Sequence, residues 1–148
     1  MNLREFLVKA KVDTYSSGRL TNKINKDGAK EFIFQEDNYL YTDKYFGTNP
    51  FFGQELVFED EKFIWGMNYY GFSESFEVTS KDIYIFLKLA LKNVKEDEPY
   101  RGPRYFKDGD YQYFNEPKGN LERFVGVERI DYKEKTVYRC EYHGGLIK

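Results

Sequence analysis

The sequence predicts an α+β fold in which one long helix and a short N-terminal helix accompany a curved, largely antiparallel sheet. Most of the chain alternates apolar and polar residues over short segments that end at turn signals, a pattern typical of antiparallel strands. Residues 80–94 instead carry apolar side chains at helical spacing. Separate runs of strands and helices with short links favour this fold class, and 148 residues suit a single domain, 1–148.

Residues 2–12 are predicted to form the short helix. Residues 15–18 (YSSG) are predicted to end it, and residues 19–25 to be extended. Asp27 and Gly28 then indicate a hairpin turn, because glycine accepts the positive φ that such turns require. The helix prediction depends on one apolar stripe, formed by Leu3, Phe6, Leu7 and Ala10.

Strands are predicted at 29–35 and 39–46, and a hairpin around Asp60-Glu61 joins 54–59 to 63–70. The loop 47–53 precedes this hairpin. Alternation places three tyrosines and a carboxylate on one face of the second strand, which predicts either a solvated face or a polar, aromatic wall. These residues are Tyr39, Tyr41, Asp43 and Tyr45.

The strand at 63–70 carries the only tryptophan and is the expected centre of the sheet. Gly66 lacks a side chain in mid-strand, which predicts a bulge or the close approach of another backbone or a ligand. Alternation gives this strand two faces. Phe63, Trp65, Met67 and Tyr69 share one, and Ile64, Gly66, Asn68 and Tyr70 share the other.

The helix at 80–94 is predicted to begin at Thr79, since Asp82 three residues on resembles a capping box. The loop 100–106 (YRGPRYF) follows. The rest of the chain predicts a three-stranded meander at 110–116, 121–132 and 136–143, with turns at 117–119 and 133–135. No internal repeat is apparent.

Composition excludes several classes of function. A formal net charge of -2 argues against a protein that binds DNA through its phosphates. One cysteine, Cys140, and one histidine, His143, cannot form an internal disulfide or a structural zinc site. The N-terminus has no signal-peptide pattern, and no segment reaches the roughly 20 apolar residues of a membrane span. We therefore expect a cytoplasmic protein with no membrane association, no metal and no cofactor.

Four groups of residues could carry chemistry. Glu141 and His143 alternate onto one strand face with Arg139, where they could act as acid and base or simply be solvated. Arg101 and Arg104 could hold a carboxylate or phosphate, although surface arginines are usually less specific. The remaining candidates are Asp43 among its tyrosines, and the group Trp65, Asn68, Tyr69 and Tyr70, which suits a flat ligand.

Phosphate-loop, dinucleotide, zinc-protease and serine-hydrolase motifs are all missing from the sequence. Cys140 would need a nearby base to act as a nucleophile. His143 is three residues on, and therefore falls on the opposite face of a regular strand. We interpret Cys140 as a packing residue.

Four segments carry a family resemblance: YTDKYFGTNPFFGQELVF (41–58), WGMNYYG (65–71), YRGPRYF (100–106) and EYHGGLIK (141–148). They resemble a small bacterial family known only as a domain of unknown function. Its members stand alone or follow an XRE-type helix-turn-helix, which implies a sensor or effector role beside transcription regulators. The resemblance supplies no catalytic residues. The helix 2–12 is too short for a helix-turn-helix, so no direct nucleic-acid binding is expected.

The sequence thus favours a domain that binds an unknown small molecule in an aromatic-lined pocket. One alternative is a small enzyme, a hydrolase or transferase, that uses His143 with Glu141 or Asp43. A homodimeric protein-interaction module is the other alternative. The ligand-binding candidates are Tyr41, Asp43, Tyr45, Trp65, Asn68, Tyr69, Tyr70, Arg101, Arg104, Glu141 and His143.

Overall fold

The computed structural model describes residues 1–17 and 24–148. Two helices lie within them, α1 (Leu3–Ser17) and α2 (Ser80–Leu91). The prediction of one long helix after a short one is wrong, because α1 has 15 residues and α2 has 12. Residues 15–17 continue α1 since Tyr15 packs against the core. The extended segment predicted at 19–25 falls mostly outside the described residues.

α2 begins and ends at side chains that complete its hydrogen bonds. The Thr79 hydroxyl accepts from the Asp82 backbone N–H at 3.1 Å, as predicted for the N-cap. At the other end the Asn93 amide donates to the Leu89 carbonyl at 2.9 Å, and the helix stops three residues before the predicted end at 94.

The described residues contain eight strands in one open, antiparallel sheet of order β1-β2-β3-β4-β8-β7-β6-β5. An α+β fold with an antiparallel sheet is therefore confirmed. β1 and β5 are the edges, and β4 pairs with β8 at the centre. The strands are β1 (Lys30–Glu36), β2 (Tyr39–Gly47), β3 (Phe51–Glu59), β4 (Lys62–Ser73), β5 (Tyr105–Asp108), β6 (Tyr111–Asn120), β7 (Arg123–Tyr132) and β8 (Lys135–Leu146).

The turn predicted at 117–119 is wrong. These residues belong to β6, and the chain reverses at residues 121–122 instead. The side chain of Asn120 fixes this turn, because its Oδ1 accepts from the backbone N–H groups of Glu122 and Arg123. The segment 100–106, predicted to be a loop, also contains the first two residues of β5.

The bulge in β4 lies at Ile64, two residues before Gly66. Gly66 pairs regularly with Leu56, whereas the register shifts between Val57 and Phe58. The extra residue places Phe63 and Trp65 on different faces, so the prediction that they share one is wrong. Phe63 is 38 % exposed and Trp65 is fully buried.

The two halves of the described chain repeat one architecture, which the sequence analysis missed. Each half is a helix followed by a four-stranded meander, α1 with β1–β4 and α2 with β5–β8. Both meanders carry a register shift at equivalent positions, after Val57 and after Ile130. Both third hairpins turn on two residues with positive φ.

Identical residues at equivalent positions support this repeat, at an offset of 72 or 73. They include a tyrosine ring that crosses a glycine on the neighbouring strand, Tyr69 over Gly53 and Tyr142 over Gly126. No Cβ fits at either glycine. The identical pairs include Phe34/Phe106, Tyr39/Tyr111, Tyr41/Tyr113, Gly47/Gly119, Phe51/Phe124, Gly53/Gly126, Glu55/Glu128, Glu61/Glu134, Lys62/Lys135, Tyr69/Tyr142 and Gly71/Gly144.

Both helices pack on one face of the sheet, which we call the helix side. Phe6 of α1 stacks on Tyr39 at 4.9 Å, and Phe86 of α2 stacks on Tyr111 at 5.0 Å between ring centroids. The other face, the open face, is free of helices among the described residues and exposes Phe52, Tyr70 and Phe72. The core therefore lies between the helices and one side of the sheet.

Candidate functional site

A cavity of about 290 Å³ opens on the helix side in the first half of the chain. We call it the helix-side cavity. Its wall is formed by α1, β1, β2, β3, β4, α2 and the segment after α2. Its lining residues are Thr14, Tyr15, Lys30, Phe32, Asp43, Tyr45, Gly47, Thr48, Phe51, Tyr69, Tyr84, Leu87, Lys88, Leu91 and Arg101.

Asp43 is the acid of this cavity. It is 5 % exposed, and its Oδ1 accepts a 2.5 Å hydrogen bond from the Tyr69 hydroxyl. Burial and the nearby Glu55 carboxylate raise the pKa of Asp43 to about 7, because both disfavour its ionised form. Asp43 therefore changes its protonation state near neutral pH, where an ordinary surface aspartate is ionised.

Arg101 lies at the back of the cavity, and its side chain is almost fully buried. Its Nη2 donates to Glu128 Oε1 at 2.9 Å, and its guanidinium lies 5.0 Å from the Tyr69 ring centroid. Its Nε has no hydrogen-bond partner in the described residues, and neither has the buried Tyr15 hydroxyl. Buried polar atoms are usually paired, so these two donors leave hydrogen-bonding capacity unused in residues that line the cavity.

Two exposed lysines, Lys30 and Lys88, stand at the mouth of the cavity. Aromatic and aliphatic side chains form the walls between the mouth and Asp43. Lys30 lies 5.9 Å from the Tyr45 ring centroid. The cavity thus combines apolar walls with three cationic side chains and one carboxyl group, a composition typical of a small-ligand site.

Two further carboxylates are buried on the helix side, but their hydrogen bonds are internal. Glu55 Oε1 accepts from the Tyr41 hydroxyl at 2.5 Å and from Lys11 Nζ at 2.6 Å. Glu128 accepts from Arg101 and from the hydroxyls of Tyr113 and Tyr138. Burial raises the pKa of Tyr41, Tyr113 and Tyr138 well above its usual value, so these hydroxyls remain protonated donors. Glu55 and Glu128 are structural.

In the second half, the position equivalent to Asp43 is occupied by a residue whose side-chain oxygen and nitrogen are both hydrogen-bonded within the chain. Asn115 stands there, and its Oδ1 accepts from the Tyr142 hydroxyl at 2.7 Å as Asp43 accepts from Tyr69. Its Nδ2 donates to the Gly102 carbonyl at 3.0 Å, while the Gly102 N–H donates to Tyr113. In the second half, the backbone at Gly102 therefore lies beside Asn115 and contributes both its N–H and its carbonyl oxygen to hydrogen bonds.

The open face holds a second concavity, of about 520 Å³. Asn68, Tyr70, Glu141 and His143 line it together with Phe52. The Asn68 amide lies 3.4 Å from His143 Nε2. Glu141 and His143 share this face as alternation predicted, whereas Asp43 lies on the helix side. The sheet separates His143 from Asp43, so these two residues do not meet in one cavity.

The eleven predicted ligand-binding residues are thus divided between two faces. Asp43, Tyr45, Tyr69 and Arg101 line the helix-side cavity, and Tyr41 and Trp65 lie in the core beside it. Asn68, Tyr70, Glu141 and His143 belong to the open face. Arg104 is exposed and forms two 2.7 Å hydrogen bonds to Glu98, apart from the buried Arg101.

Several residues of the site were not predicted, although the sequence carries a signal for some of them. Glu55 alternates in phase with Gly53 and Val57, and Glu128 with Phe124 and Ile130, which places both carboxylates on the buried face. Lys11 extends the apolar stripe of α1 one turn after Leu7. By contrast, Tyr15, Lys30 and Lys88 come together only through the tertiary fold.

Cys140 is buried on the helix side, as its interpretation as a packing residue predicted. Burial, and then the Glu128 carboxylate, raise the pKa of the Cys140 thiol to about 12. It is therefore an unreactive thiol at neutral pH. Within the described residues, no cluster of three or more His, Cys, Asp and Glu side chains could hold a metal ion, and no helix is long and apolar enough to cross a membrane.

Comparison with known proteins identifies a family for most of the chain. The family described as "Domain of unknown function (DUF5680)" matches residues 43–147. The match begins at Asp43 and includes Arg101, Glu128 and His143. It confirms the resemblance to a family of unknown function that the four sequence segments indicated. No curated protein and no solved structure matches the chain.

Proposed function

We propose that this chain, which belongs to the family DUF5680, binds a small molecule in the helix-side cavity. The observation that carries the proposal is the pair of buried donors without a partner, Arg101 Nε and the Tyr15 hydroxyl, beside Asp43 in a cavity with apolar walls. Unpaired buried donors cost free energy, which a ligand that accepts their hydrogen bonds recovers.

The size of the cavity limits the ligand. A volume of about 290 Å³ lies just below the roughly 300–1,000 Å³ that small-molecule sites occupy. The site suits a molecule with one ring and a polar group rather than a nucleotide. The rings of Tyr45, Phe51 and Tyr84 supply walls against which a planar ligand can pack.

A domain that binds a small molecule in this cavity could act as a sensor of that molecule. The resemblance to domains that follow a helix-turn-helix supports it, since a ligand-binding domain beside a regulator can bias that regulator. Ligand occupancy would act here by joining α1, α2 and the sheet around one molecule, because all three contribute to the cavity.

A thermal-shift screen of the purified chain against metabolites tests this proposal. A ligand at about 100 times its dissociation constant stabilises the folded state by about 2.7 kcal/mol, which raises the melting temperature by about 5–10 °C. We expect Tyr45→Ala to reduce the shift, and Thr48→Trp, which fills the mouth, to abolish it. Tyr70→Ala is the matched control because this tyrosine lies on the open face.

Two results would contradict the proposal. One is a library that yields no ligand at all. The other is a ligand whose melting shift survives both Tyr45→Ala and Thr48→Trp but disappears in Tyr70→Ala, which would move the binding site to the open face.

A second candidate function has one specific observation in its favour. Glu141 and His143 line the same open-face concavity, so they could act together as acid and base on a bound substrate. Turnover of an ester or phosphoryl substrate that is lost in His143→Gln, with Tyr45→Ala unaffected, would favour this enzyme over the binding domain.

A further inference from the structure

We propose that the helix-side cavity binds a small organic acid, with a carboxylate oxygen of the ligand against Asp43 and with Lys30 and Lys88 at the entrance. This inference rests on the proposed function and names the chemical class of the ligand. Two features support it: the charges that line the cavity, and the repeat that relates the two halves.

The charges of the lining residues favour an anion. Lys30, Lys88 and Arg101 line the cavity, and among its described lining residues Asp43 is the only acid. Lys30 and Lys88 form no ion pair with another described side chain, whereas the neighbouring Lys44 is paired with Asp27 at 2.6 Å. Two unpaired ammonium groups at the entrance attract anionic ligands over cationic ones.

The buried charges around Asp43 are paired with one another. Lys11 is paired with Glu55 and Arg101 with Glu128, so these four groups balance. A bound carboxylate beside an ionised Asp43 would place two negative charges next to each other. Protonation of Asp43 leaves only the charge of the ligand. The pKa of Asp43, about 7, makes that protonation accessible at neutral pH.

The second half indicates which kind of atom lies against Asp43. At the equivalent position, Asn115 uses its Oδ1 for the tyrosine hydroxyl and its Nδ2 to donate to a carbonyl oxygen, that of Gly102. Asp43 uses its Oδ1 for the Tyr69 hydroxyl in the same way. A protonated Asp43 therefore presents a donor where Asn115 does, and its partner is an oxygen acceptor.

Binding is then linked to proton uptake. The ligand anion binds the protonated form of Asp43, so affinity falls as the pH rises through about 7, by about tenfold between pH 6 and pH 8. The charged and titratable groups that face Asp43 come from every element around it. They are Lys11 and Tyr15 of α1, Lys30 of β1, Tyr41 and Tyr45 of β2, Glu55 of β3, Tyr69 of β4, Tyr84 and Lys88 of α2, and Arg101 after it.

The test uses three probes of one shape on the full chain: phenylacetate, phenylacetamide and 2-phenylethylammonium. Calorimetric titration in two buffers of different ionisation enthalpy gives both the affinity and the number of protons exchanged. We expect phenylacetate to bind most tightly, with proton uptake above pH 7. Asp43→Asn copies the second half and should retain phenylacetate binding while removing its pH dependence.

The lysines at the entrance provide a matched comparison. Lys88→Gln and Lys30→Gln should each weaken phenylacetate binding several-fold and leave phenylacetamide unchanged. Lys44→Gln is the control, because Lys44 lies on the same strand as Asp43 but on the other face and is paired with Asp27.

Two outcomes overturn the inference. Tighter binding of 2-phenylethylammonium, with proton release, would make the ligand a cation and leave the proposed binding function intact. Failure of all three probes to bind at their solubility limits would also overturn it. The metabolite screen then decides whether the cavity binds any ligand, so the two proposals can fail separately.

Discussion

The two halves of this molecule are built alike, yet they differ on the helix side, beside the repeated tyrosine. In the second half, the Gly102 carbonyl accepts from Asn115 and the Gly102 N–H donates to the Tyr113 hydroxyl. In the first half, Asp43 replaces the amide and lines the helix-side cavity. Both halves bury a carboxylate that is hydrogen-bonded to a tyrosine, so the fold requires this pair. The halves differ in the residue at the Asp43 position and in the space beside it.

The largest expected effect is the loss of either buried structural carboxylate. Glu128→Gln leaves the Arg101 guanidinium buried without its counter-charge, and Glu55→Gln does the same to Lys11. We expect each change to lower the free energy of unfolding by about 3–5 kcal/mol. Urea unfolding followed by circular dichroism measures it.

Glu141→Gln is the control for these variants. Glu141 is exposed on the open face, so the change should stay within about 0.5 kcal/mol. Equal small effects for Glu55 and Glu141 would show that burial of the first-half carboxylate is not structural, and the parallel between the halves would fail.

Asp43→Asn makes the two halves alike and has the next largest effect. The folded state holds the pKa of Asp43 at about 7 against 3.8 for an ordinary aspartate. Between these values the folded state binds more protons than the unfolded state, so the free energy of unfolding falls as pH rises through that window. The full shift corresponds to about 4 kcal/mol. Asp43→Asn should recover up to about that amount at pH 8 and flatten the profile.

Asn115→Asp is the reverse exchange. It places a carboxyl group against the Gly102 carbonyl, where only its protonated form can donate. We expect a loss of about 2–3 kcal/mol at pH 8 that is partly restored at pH 5. A profile for Asn115→Asp that is flat from pH 5 to pH 8 would contradict the equivalence of the two positions.

The smallest effect is expected on the open face, where Tyr70 and His143 occupy equivalent positions of the two halves. Both are solvent-exposed, so His143→Tyr and Tyr70→His should each change the free energy of unfolding by less than about 0.5 kcal/mol. Thermal unfolding at several protein concentrations measures it. A loss above about 1 kcal/mol that grows with concentration would indicate that a second copy packs on this face.

The fold class and most strand positions could be predicted because alternation and turn residues are local signals. Tyr39, Tyr41, Asp43 and Tyr45 do share one face, and the turn at residues 60–61 has the positive φ values that β-hairpins favour. The position of Phe63 was not predictable by alternation, since one bulge residue reverses every face that follows it.

The candidate site was predicted only in part, for a physical reason. Asp43, Tyr69 and Arg101 carry local signals, namely a carboxylate or hydroxyl on an aromatic strand face and an arginine in a short loop. Their neighbours Tyr15 and Lys88 reach the cavity from two different helices, and no sequence pattern relates those helices. The repeat itself was missed because few of its positions are identical, although those positions include the hydrogen-bonded tyrosines and carboxylates.

The location of a bound ligand tests the central claim most directly. Nuclear Overhauser contacts between phenylacetate, or the best compound of the screen, and assigned side-chain protons would report that location. We expect contacts to Tyr45, Phe51 and Leu87 of the helix-side cavity. Contacts to Phe52, Tyr70 and Val125 instead would place the ligand on the open face and contradict the account.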